Sequence, residues 1–373
     1  MATHRTNKNK LIIAVAMSGG VDSSVAAALL VRQGYAVIGL TMHVWDFESV
    51  GGNVENESAC CSNDAMEDAR FVCHKLGIPH YTVNLKAPFK ERIISNFMEE
   101  YLAGRTPNPC VLCNSEIKWG ALLQKAVQLG AERIATGHYV RLQQHPSTGR
   151  MMLLRAIDRS KDQAYALWGL SQAQLAQTMF PLGALTKREV RRIADELDLK
   201  TAHKAESQEI CFIPDDNYER FLKEQLPGIE AKLDRGEILN EAGEVIGYHR
   251  GYPFYTIGQR KGLQVATGER IYINRIEPET NRIYVGSKLA VQSKGLIADG
   301  VNWVSIPAPQ KPIDVTAKIR YNDPGLPAVL TPLDATRIQL DFESPKNAVT
   351  PGQSAVFYES DVLLGGGVIR RGV

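Results

Sequence analysis

The chain has 373 residues, of which 44% are hydrophobic and 23% are charged, and its formal net charge is +2. A chain of this length exceeds what one hydrophobic core supports, so we expect two or three domains. The longest apolar run, residues 11–17, is far shorter than the roughly 20 residues of a membrane span, and residues 1–10 lack an apolar signal segment. These features argue against a membrane protein, so we expect a cytoplasmic chain without a membrane partner.

The first predicted strand, residues 11–15, leads through a glycine turn into a helix at residues 25–32. The turn reads Ser18-Gly19-Gly20-Val21-Asp22-Ser23. The unpaired N–H groups at a helix start, with the helix dipole behind them, attract an anion. The turn matches neither G-x-x-x-x-G-K-[ST] nor G-x-G-x-x-G, which argues against a simple kinase and a dinucleotide enzyme. We interpret it as a phosphate-binding loop, in which Asp22 either orients Mg²⁺ or caps the helix.

Strands and helices then alternate. Strands are predicted at residues 36–42, 78–85 and 133–136, and helices follow at residues 64–76, after a loop at 43–63, and at residues 89–102 and 117–129. Residues 104–114 contain two prolines and are predicted to form a loop. This order predicts an α/β fold with a doubly wound, mostly parallel sheet, whose ligands lie at the carboxyl ends of the strands. The phosphate loop, Met42 and Gly137 all fall at such ends.

Beyond residue 137 the pattern changes in steps. Residues 139–142 and 151–155 predict a hairpin, and the pair Thr186 and Glu189 predicts a capping box at the start of a helix. After Cys211 the alternation fades, and a helix is predicted at residues 218–226. From about residue 295 the apolar and polar residues alternate in short segments, which predicts a small β-barrel.

The chain has six cysteines. In a chain of intracellular character they favour metal binding or redox chemistry over a disulfide framework. Cys110 and Cys113 form a C-x-x-C pair, and Cys211 follows farther along. A thiolate is a strong nucleophile when its pKa is lowered, and two such thiols could transfer sulfur and then form a disulfide. Cys60, Cys61 and Cys73 are predicted to be small buried residues instead.

Six separated motifs lie at residues 16–24, 106–114, 135–139, 161–163, 210–212 and 255–262. The first resembles the loop of the N-type (PP-loop) ATP pyrophosphatases. Together and in this order, the six resemble the tRNA-specific 2-thiouridylases of the MnmA (TrmU) family. The resemblance runs from residue 11 to the C-terminus and is strongest before residue 262. It implies a PP-loop ATP pyrophosphatase domain at 1–214, a central domain at 215–292 and a C-terminal β-barrel at 293–373.

The resemblance also implies the reaction. ATP adenylates O2 of the wobble uridine in tRNAs for Lys, Glu and Gln, and sulfur then displaces AMP. The implied cofactors are ATP and Mg²⁺, and the partners are tRNA and a sulfur donor, either a cysteine desulfurase or a sulfur relay protein. Because a stacked base could not reach the pocket, the uridine would be turned out of the anticodon loop.

Carried over by position, the resemblance implies that Cys113 is the nucleophile and Cys211 bears the persulfide sulfur. The implied ATP-binding residues are Ala16, Met17, Ser18, Gly19, Gly20, Val21, Asp22, Ser23, Met42 and Gly137. The implied target-base contacts are Asn108, Pro109 and Cys110, and the implied tRNA contacts are Lys161, Asp162, Gln163, Arg320 and Tyr321. Some family members carry an acid/base Asp at the position of Cys110, a role that a thiol does not reproduce.

Several alternatives stay open. Cys110, Cys113 and Cys211 could hold three irons of a [4Fe–4S] cluster whose fourth iron binds sulfide. His138 could contact the nucleotide or make a structural hydrogen bond, and the charged run at residues 187–192 reads as a solvated helix face or a phosphate contact. The rival functions are another adenylating PP-loop enzyme, such as a 4-thiouridine synthase, and an RNA-binding protein that has lost catalysis.

Overall fold

The computed structural model describes residues 11–45, 63–204, 210–265 and 268–373. The chain forms two compact units. The first contains the described residues of Met1–Lys90 and Cys113–Asp215, and the second those of Glu91–Leu112 and Asp216–Val373. Cys60 and Cys61, for which burial is predicted, lie outside the described residues. Within the described ranges no helix has the length and apolarity needed to cross a bilayer.

The first half of the chain alternates strands with helices. In chain order the elements are β1 (Ile12–Ala16), α1 (Val21–Arg32), β2 (Ala36–His43), α2 (Asn63–Lys75), β3 (His80–Asn84), α3 (Lys86–Phe89), a π-helical turn (Lys90–Ile94), α4 (Ser95–Leu102), α5 (Pro109–Leu112), a π-helix (Cys113–Leu122), α6 (Leu123–Gln128), β4 (Arg133–Ala135), β5 (Val140–Gln144), β6 (Met151–Arg155), a 3-10 turn (Ala164–Leu167), α7 (Gln172–Ala176), β7 (Thr178–Met179) and α8 (Lys187–Glu196). Strands β5 and β6 pair antiparallel, which confirms the predicted hairpin.

The first unit contains a five-stranded sheet in the order β3-β2-β1-β4-β7. All of its pairings are parallel, so the predicted doubly wound sheet is confirmed. Its core includes the fully buried side chains of Ile13, Val15, Val25 and Leu30, since the central strand β1 is apolar on both faces. The strand order reverses at β1, and such a switch point places a ligand crevice at the carboxyl end of that strand.

The predicted loop at residues 104–114 is wrong in its second half. The segment Pro109–Leu112 is helical and is followed directly by the π-helix Cys113–Leu122. Proline breaks a helix interior, but Pro109 is the first helical residue, where its missing N–H has no partner to lose. Proline therefore starts this helix, and Cys110 and Cys113 lie on helical turns.

The second half of the chain is mainly β-structure. Its elements are α9 (Tyr218–Gln225), α10 (Ile229–Leu233), β8 (Gly236–Leu239), β9 (Val245–His249), a 3-10 turn (Tyr252–Phe254), β10 (Tyr272–Glu277), a 3-10 turn (Pro278–Thr280), β11 (Arg282–Gly286), a 3-10 turn (Leu289–Val291), β12 (Gln292–Trp303), β13 (Ile313–Lys318), β14 (Leu326–Pro332), β15 (Ile338–Asn347), β16 (Ser354–Glu359) and β17 (Val362–Gly372).

These strands form two sheets. A four-stranded sheet has the order β10-β11-β8-β9. Strands β12-β15-β14-β13-β16-β17 follow one another around a barrel that the β12–β17 pairing closes, so the predicted C-terminal barrel is confirmed. Alternate side chains point inward and are buried, among them Leu296, Ala317, Leu330 and Phe357.

Candidate active site

The phosphate loop joins the carboxyl end of β1 to the start of α1. Gly20 is the N-cap residue of α1, and no side chain of the described chain caps this helix. Inside the loop, the Ser18 amide donates to Ser23 Oγ (3.2 Å), and the Ser24 hydroxyl donates to the Gly20 carbonyl (2.8 Å). Asp22 therefore does not cap the helix, and the mouth of α1 has the character of an anion site.

Two glycines bring other elements against this loop. Gly19 has φ +69°, and a Cβ there would lie 2.2 Å from the Ala65 carbonyl oxygen. A Cβ at Gly137, just after β4, would lie 2.7 Å from the Ser23 amide nitrogen. Any side chain at either position would displace backbone, so the loop and its neighbours meet only because both residues are glycine.

Asp22 lies in the first turn of α1 and is the centre of a polar cluster. The Lys187 ammonium lies 2.8 Å from Asp22 Oδ1 and 2.9 Å from Oδ2, and the Tyr139 hydroxyl donates to Oδ1 at 2.7 Å. The Lys187 side chain is only 11% exposed. The charged run that begins at Lys187 is therefore not a purely solvated face, because its first residue lies against the phosphate loop.

The carboxyl end of β2 lies beside the loop. Met42 pairs with Val83 of β3 at this end. Its neighbour Thr41 is buried, donates its hydroxyl to the Met17 carbonyl (3.1 Å) and accepts from His80 Nε2 (2.8 Å). Burial, with a smaller effect of Arg70, lowers the pKa of His80. A neutral imidazole thus fixes the Thr41 hydroxyl that holds Met17 in place.

Cys113 is half-buried and is the first residue of the π-helix Cys113–Leu122. The next residue, Asn114, is buried and donates its Nδ2 to the Ala166 carbonyl at 2.9 Å. The Gln174 amide donates to the Trp119 carbonyl at 3.0 Å, so it satisfies a backbone acceptor of the wider helix. π-Helical turns occur often at functional sites. Here the turn fixes the backbone that carries Cys113.

Cys211 is also half-buried and belongs to the same compact unit as Cys113. Its neighbour Phe212 is buried and meets Phe89 edge to face at a centroid distance of 5.7 Å. Phe89 ends α3, and α3 contacts the π-helix that begins at Cys113. The segments that carry Cys113 and Cys211 therefore both neighbour α3.

Cys73 differs from these two cysteines. It is fully buried on α2, and a Cβ at Gly39 would lie 2.4 Å from its sulfur. Burial raises the pKa of the Cys73 thiol to about 12. This confirms the prediction that Cys73 is a small packing residue. Among the described residues, no three or more His, Cys, Asp or Glu side chains are grouped to hold a metal ion.

The predicted base contacts lie in the second unit. Asn108 is half-buried, Pro109 is buried and Cys110 is exposed. The backbone just before them is held tightly, because the Gln353 amide donates to the carbonyls of Thr106 (3.1 Å) and Pro107 (2.9 Å). An exposed thiol on an anchored helical turn is suited to contact a substrate.

The predicted tRNA contacts differ in their surroundings. Asp162 accepts from the Ala156 amide (3.0 Å), and Gln163 Oε1 accepts from the Tyr139 amide (2.9 Å). Arg320 donates to the Ala348 carbonyl at 2.8 Å. Lys161 is half-buried, and Tyr321 is 44% exposed. Three of the five therefore also hold backbone in place, and their contact with tRNA stays a prediction.

His138 makes the structural hydrogen bond, and its contact with the nucleotide stays a prediction. Its Nδ1 lies 2.7 Å from the Thr136 hydroxyl, and its ring packs between Trp119 and Phe180. Desolvation, helped by the charge of Lys118, lowers the pKa of His138 well below its usual value. A neutral ring that is enclosed by aromatic residues positions the strand end that carries Gly137.

The sequence allowed a phosphate contact for the run at residues 187–192 but did not assign Lys187 to the site. A signal was present, because Lys187 directly follows the Thr186 N-cap and so begins a helix, where the dipole disfavours a cation. A lysine at that position indicates a nearby carboxylate. The partner, Asp22, lies 165 positions away along the chain, so a single sequence does not identify it.

The parallel sheet with its glycine loop at the switch strand defines a nucleotide-binding domain of the PP-loop ATP pyrophosphatase class. Residues 11–215 match the family model for the "tRNA methyl transferase HUP domain". Residues 219–287 match its "PRC-barrel domain", and residues 293–369 match the "Aminomethyltransferase beta-barrel domain". The chain belongs to the MnmA family of tRNA-specific 2-thiouridylases, as the six motifs predict.

Two relatives support this membership over 96% and 97% of this chain. The tRNA-specific 2-thiouridylase MnmA of Pelotomaculum thermopropionicum is 50% identical over 360 residues, which cover 96% of this chain and 97% of the relative. That of Heliobacterium modesticaldum is 49% identical and covers 97% of this chain and 93% of the relative. The structure of an NMN synthetase from Francisella tularensis is 18% identical with a TM-score of 0.34, and the match covers 57% of this chain and 73% of the synthetase chain.

Proposed function

We propose that this chain catalyses the ATP-dependent conversion of a tRNA uridine to 2-thiouridine, at the wobble position of tRNAs for Lys, Glu and Gln. One observation carries the proposal. The same compact unit holds the uncapped phosphate loop and the two half-buried cysteines, Cys113 and Cys211. An anion site and two thiols are the groups that adenylation followed by sulfur transfer needs.

The first step activates the base. The uridine O2 attacks the α-phosphorus of ATP, the bond to the β-phosphate breaks, and pyrophosphate leaves. The loop residues Ser18, Gly19, Gly20 and Ser23 would hold the phosphates by backbone N–H and hydroxyl groups, because α1 presents its uncapped start to them. Mg²⁺ would arrive with ATP, bound mainly by phosphate oxygens.

The second step transfers sulfur. The terminal sulfur of a persulfide on Cys211 attacks C2, and the C2–O bond breaks to release AMP. The Cys113 thiolate then attacks the Cys211 sulfur, so the S–S bond to the base breaks and the electron pair stays on the 2-thio group. A Cys113–Cys211 disulfide results, which a thiol reductant must reduce before the sulfur donor recharges Cys211.

Two further assignments complete the proposal. Asn108, Pro109 and Cys110 would contact the target base, and Lys161, Asp162, Gln163, Arg320 and Tyr321 would contact the tRNA. The sulfur donor would be a cysteine desulfurase or a sulfur relay protein. The iron–sulfur alternative, with Cys110, Cys113 and Cys211 as ligands, stays a prediction beside the persulfide route.

Nucleoside mass spectrometry tests the reaction. Unmodified tRNA for Glu is incubated anaerobically with the protein, ATP, Mg²⁺, cysteine, a cysteine desulfurase and a thiol reductant. Cys113→Ser and Cys211→Ser are compared with Cys73→Ala, a matched control because Cys73 lies in the core of the same unit. The proposal expects 2-thiouridine from the wild type and from Cys73→Ala, and none from the other two variants.

The outcomes separate the rivals. If the wild type releases AMP in a tRNA-dependent manner without thiolated base, adenylation is right and the sulfur chemistry of these cysteines is wrong. If tRNA binds but no AMP forms, the RNA-binding protein without catalysis is the better description. A product thiolated at C4 would identify a 4-thiouridine synthase instead.

A further inference from the structure

The motif at residues 255–262 and the barrel residue Gln353 have no assigned role in the reaction, yet both contact the segment that precedes the cysteine pair. That segment, residues 104–108, lies in the second unit between α4 and α5. The Thr106 amide donates to the Pro351 carbonyl at 2.9 Å. The Thr106 hydroxyl also donates to the Thr256 hydroxyl at 3.4 Å.

Gln353 adds two side-chain hydrogen bonds to this segment. Its Nε2 donates to the Pro107 carbonyl at 2.9 Å and to the Thr106 carbonyl at 3.1 Å. One side-chain amide therefore binds two successive carbonyls, directly before Asn108. Pro107 is buried, and a proline offers no N–H with which the segment could be held instead.

The backbone around Gln353 is itself fixed. Gly352 has φ +89°, and a Cβ there would lie 2.7 Å from the Thr106 carbonyl oxygen, so only glycine permits this approach. The Gly352 amide donates to the Ile369 carbonyl (2.9 Å), and the Ile369 amide donates back to the Gln353 carbonyl (2.8 Å). The barrel thus holds the Gln353 backbone on both sides.

The motif at residues 255–262 also contacts the segment at residues 104–108, through Thr256. Gly258 has φ +87°, and a Cβ there would lie 2.5 Å from the Ala348 Cβ. The Thr256 amide donates to Gln259 Oε1 at 3.0 Å, which keeps Thr256 facing Thr106. Arg320 donates to the Ala348 carbonyl from another direction. Of these contacts, the hydrogen bond from Thr106 to Thr256 is the one that reaches residues 106–107 directly.

We infer that Gln353 is a positioning residue for thiolation, which fixes residues 106–107 and thereby sets where Asn108, Pro109 and Cys110 meet the target base. This inference rests on the proposed function. Displacing a reacting group by about 1 Å can cost about a hundredfold in rate. A loss of the two hydrogen bonds should therefore lower kcat without changing how the phosphate loop binds ATP.

The test compares Gln353→Met with Gln339→Met. Methionine keeps the length of glutamine but cannot donate, and Gln339 is a barrel residue whose amide bonds the exposed Asp341 instead. We expect Gln353→Met to lower kcat for 2-thiouridine formation about ten- to a hundredfold, with KM for ATP within about twofold of wild type. Thr256→Val removes the long hydrogen bond to Thr106 and the hydrogen bond to Tyr218 but keeps both Gln353 hydrogen bonds, so its kcat should fall less.

Hydrogen exchange gives a readout that does not depend on activity. In Gln353→Met the Thr106 amide should exchange about tenfold faster than in wild type, whereas Gln339→Met should leave it unchanged. The inference is overturned if Gln353→Met matches Gln339→Met in both exchange and kcat, or if kcat falls only together with a large rise in KM for ATP. A wild-type protein that forms no 2-thiouridine refutes the proposed function, while exchange still decides whether Gln353 holds the segment.

Discussion

Lys187 binds both carboxylate oxygens of Asp22, at 2.8 and 2.9 Å, and so ties the first residue of α8 to the first turn of α1. The Tyr139 hydroxyl donates to the same carboxylate at 2.7 Å, and the Lys187 ammonium lies 5.7 Å from the centre of the Tyr139 ring. A carboxylate beside a phosphate loop would repel a triphosphate. Lys187 balances this charge, and on the proposed function the ion pair would leave the loop favourable to the triphosphate.

Replacing Lys187 by Met should weaken the use of ATP. Asp22 would then present an uncompensated negative charge to the triphosphate, and Tyr139 would be the remaining donor named above. We expect kcat/KM for ATP to fall about ten- to a hundredfold, a loss typical of one charged hydrogen-bond partner. The hydrogen bond from Tyr139 to Asp22 and the packing of the phosphate loop are kept, so the midpoint of thermal unfolding should change by only a few degrees. Steady-state pyrophosphate release measures the effect.

Arg188→Met is the control for this variant, because Arg188 is the next residue and is exposed. It should leave ATP kinetics close to wild type. The double variant Asp22→Asn with Lys187→Met provides a second check, since two residues that act through one ion pair are not additive. Additive losses, or normal ATP kinetics in Lys187→Met, would contradict a role through Asp22.

Gly19→Ala should disable the phosphate loop, whereas Gly34→Ala should not. Both glycines have positive φ, +69° and +88°, so alanine brings a similar backbone cost of about 1 kcal/mol at either site. Only at Gly19 would the new Cβ collide, 2.2 Å from the Ala65 carbonyl oxygen, and at Gly34 it meets nothing within 4 Å. We expect ATP binding, measured by calorimetry, to be lost in Gly19→Ala alone. Equal affinity in both variants would show that the loop tolerates displacement.

Local signals in the sequence predicted the elements well. The Thr186 and Glu189 capping box forms as expected, with the Thr186 side chain accepting from the Glu189 amide. Strand β1 and the glycine turn after it were predicted because a buried strand and a helix start leave strong local patterns. The motifs also located the phosphate loop at the edge of the sheet where the structure places it.

What the sequence did not predict depends on contacts between distant residues. Residues 104–114 were predicted as a loop because proline breaks a helix interior. Pro109 instead begins a helix, and the local sequence does not show where that helix starts. The partnership of Lys187 with Asp22, and of Gln353 with Thr106, joins residues that share no local pattern. Propensity and spacing carry no information on such pairs, and only the folded chain brings them together.

The cysteines should differ sharply in reactivity. Burial raises the pKa of Cys73 to about 12, so at pH 8 its thiolate fraction is negligible, and its sulfur is also fully enclosed. Cys110 is exposed and should be alkylated by iodoacetamide in the native protein. Peptide mass spectrometry should find Cys73 unmodified until denaturant is added. Alkylation of Cys73 at the rate of Cys110 in the native state would show that α2 opens readily.

The second unit should lose stability as the pH falls from about 6.5 to about 4. His249 is 3% exposed, and burial lowers its pKa from 6.5 to about 4, against an opposing effect of the Asn281 backbone. In this pH range the unfolded chain binds a proton at His249 and the folded chain does not, so protonation favours unfolding. The full difference corresponds to about 3 kcal/mol, present above pH 6.5 and lost as the pH approaches 4.

His249→Gln removes this titration and should flatten the pH dependence. Hydrogen exchange in β8 and β9, which pair next to His249, reports the local stability of the second unit as a function of pH. His74→Gln, a change at an exposed histidine of the first unit, is the control and should leave the slope for these strands as in wild type. The Gly251 amide donates to His249 Nδ1 at 3.0 Å, so the glutamine variant should be less stable above pH 6.5, where the titration of His249 makes no difference. The deciding quantity is therefore the slope of local stability against pH. An unchanged slope in His249→Gln would mean that other groups govern the acid sensitivity of this unit.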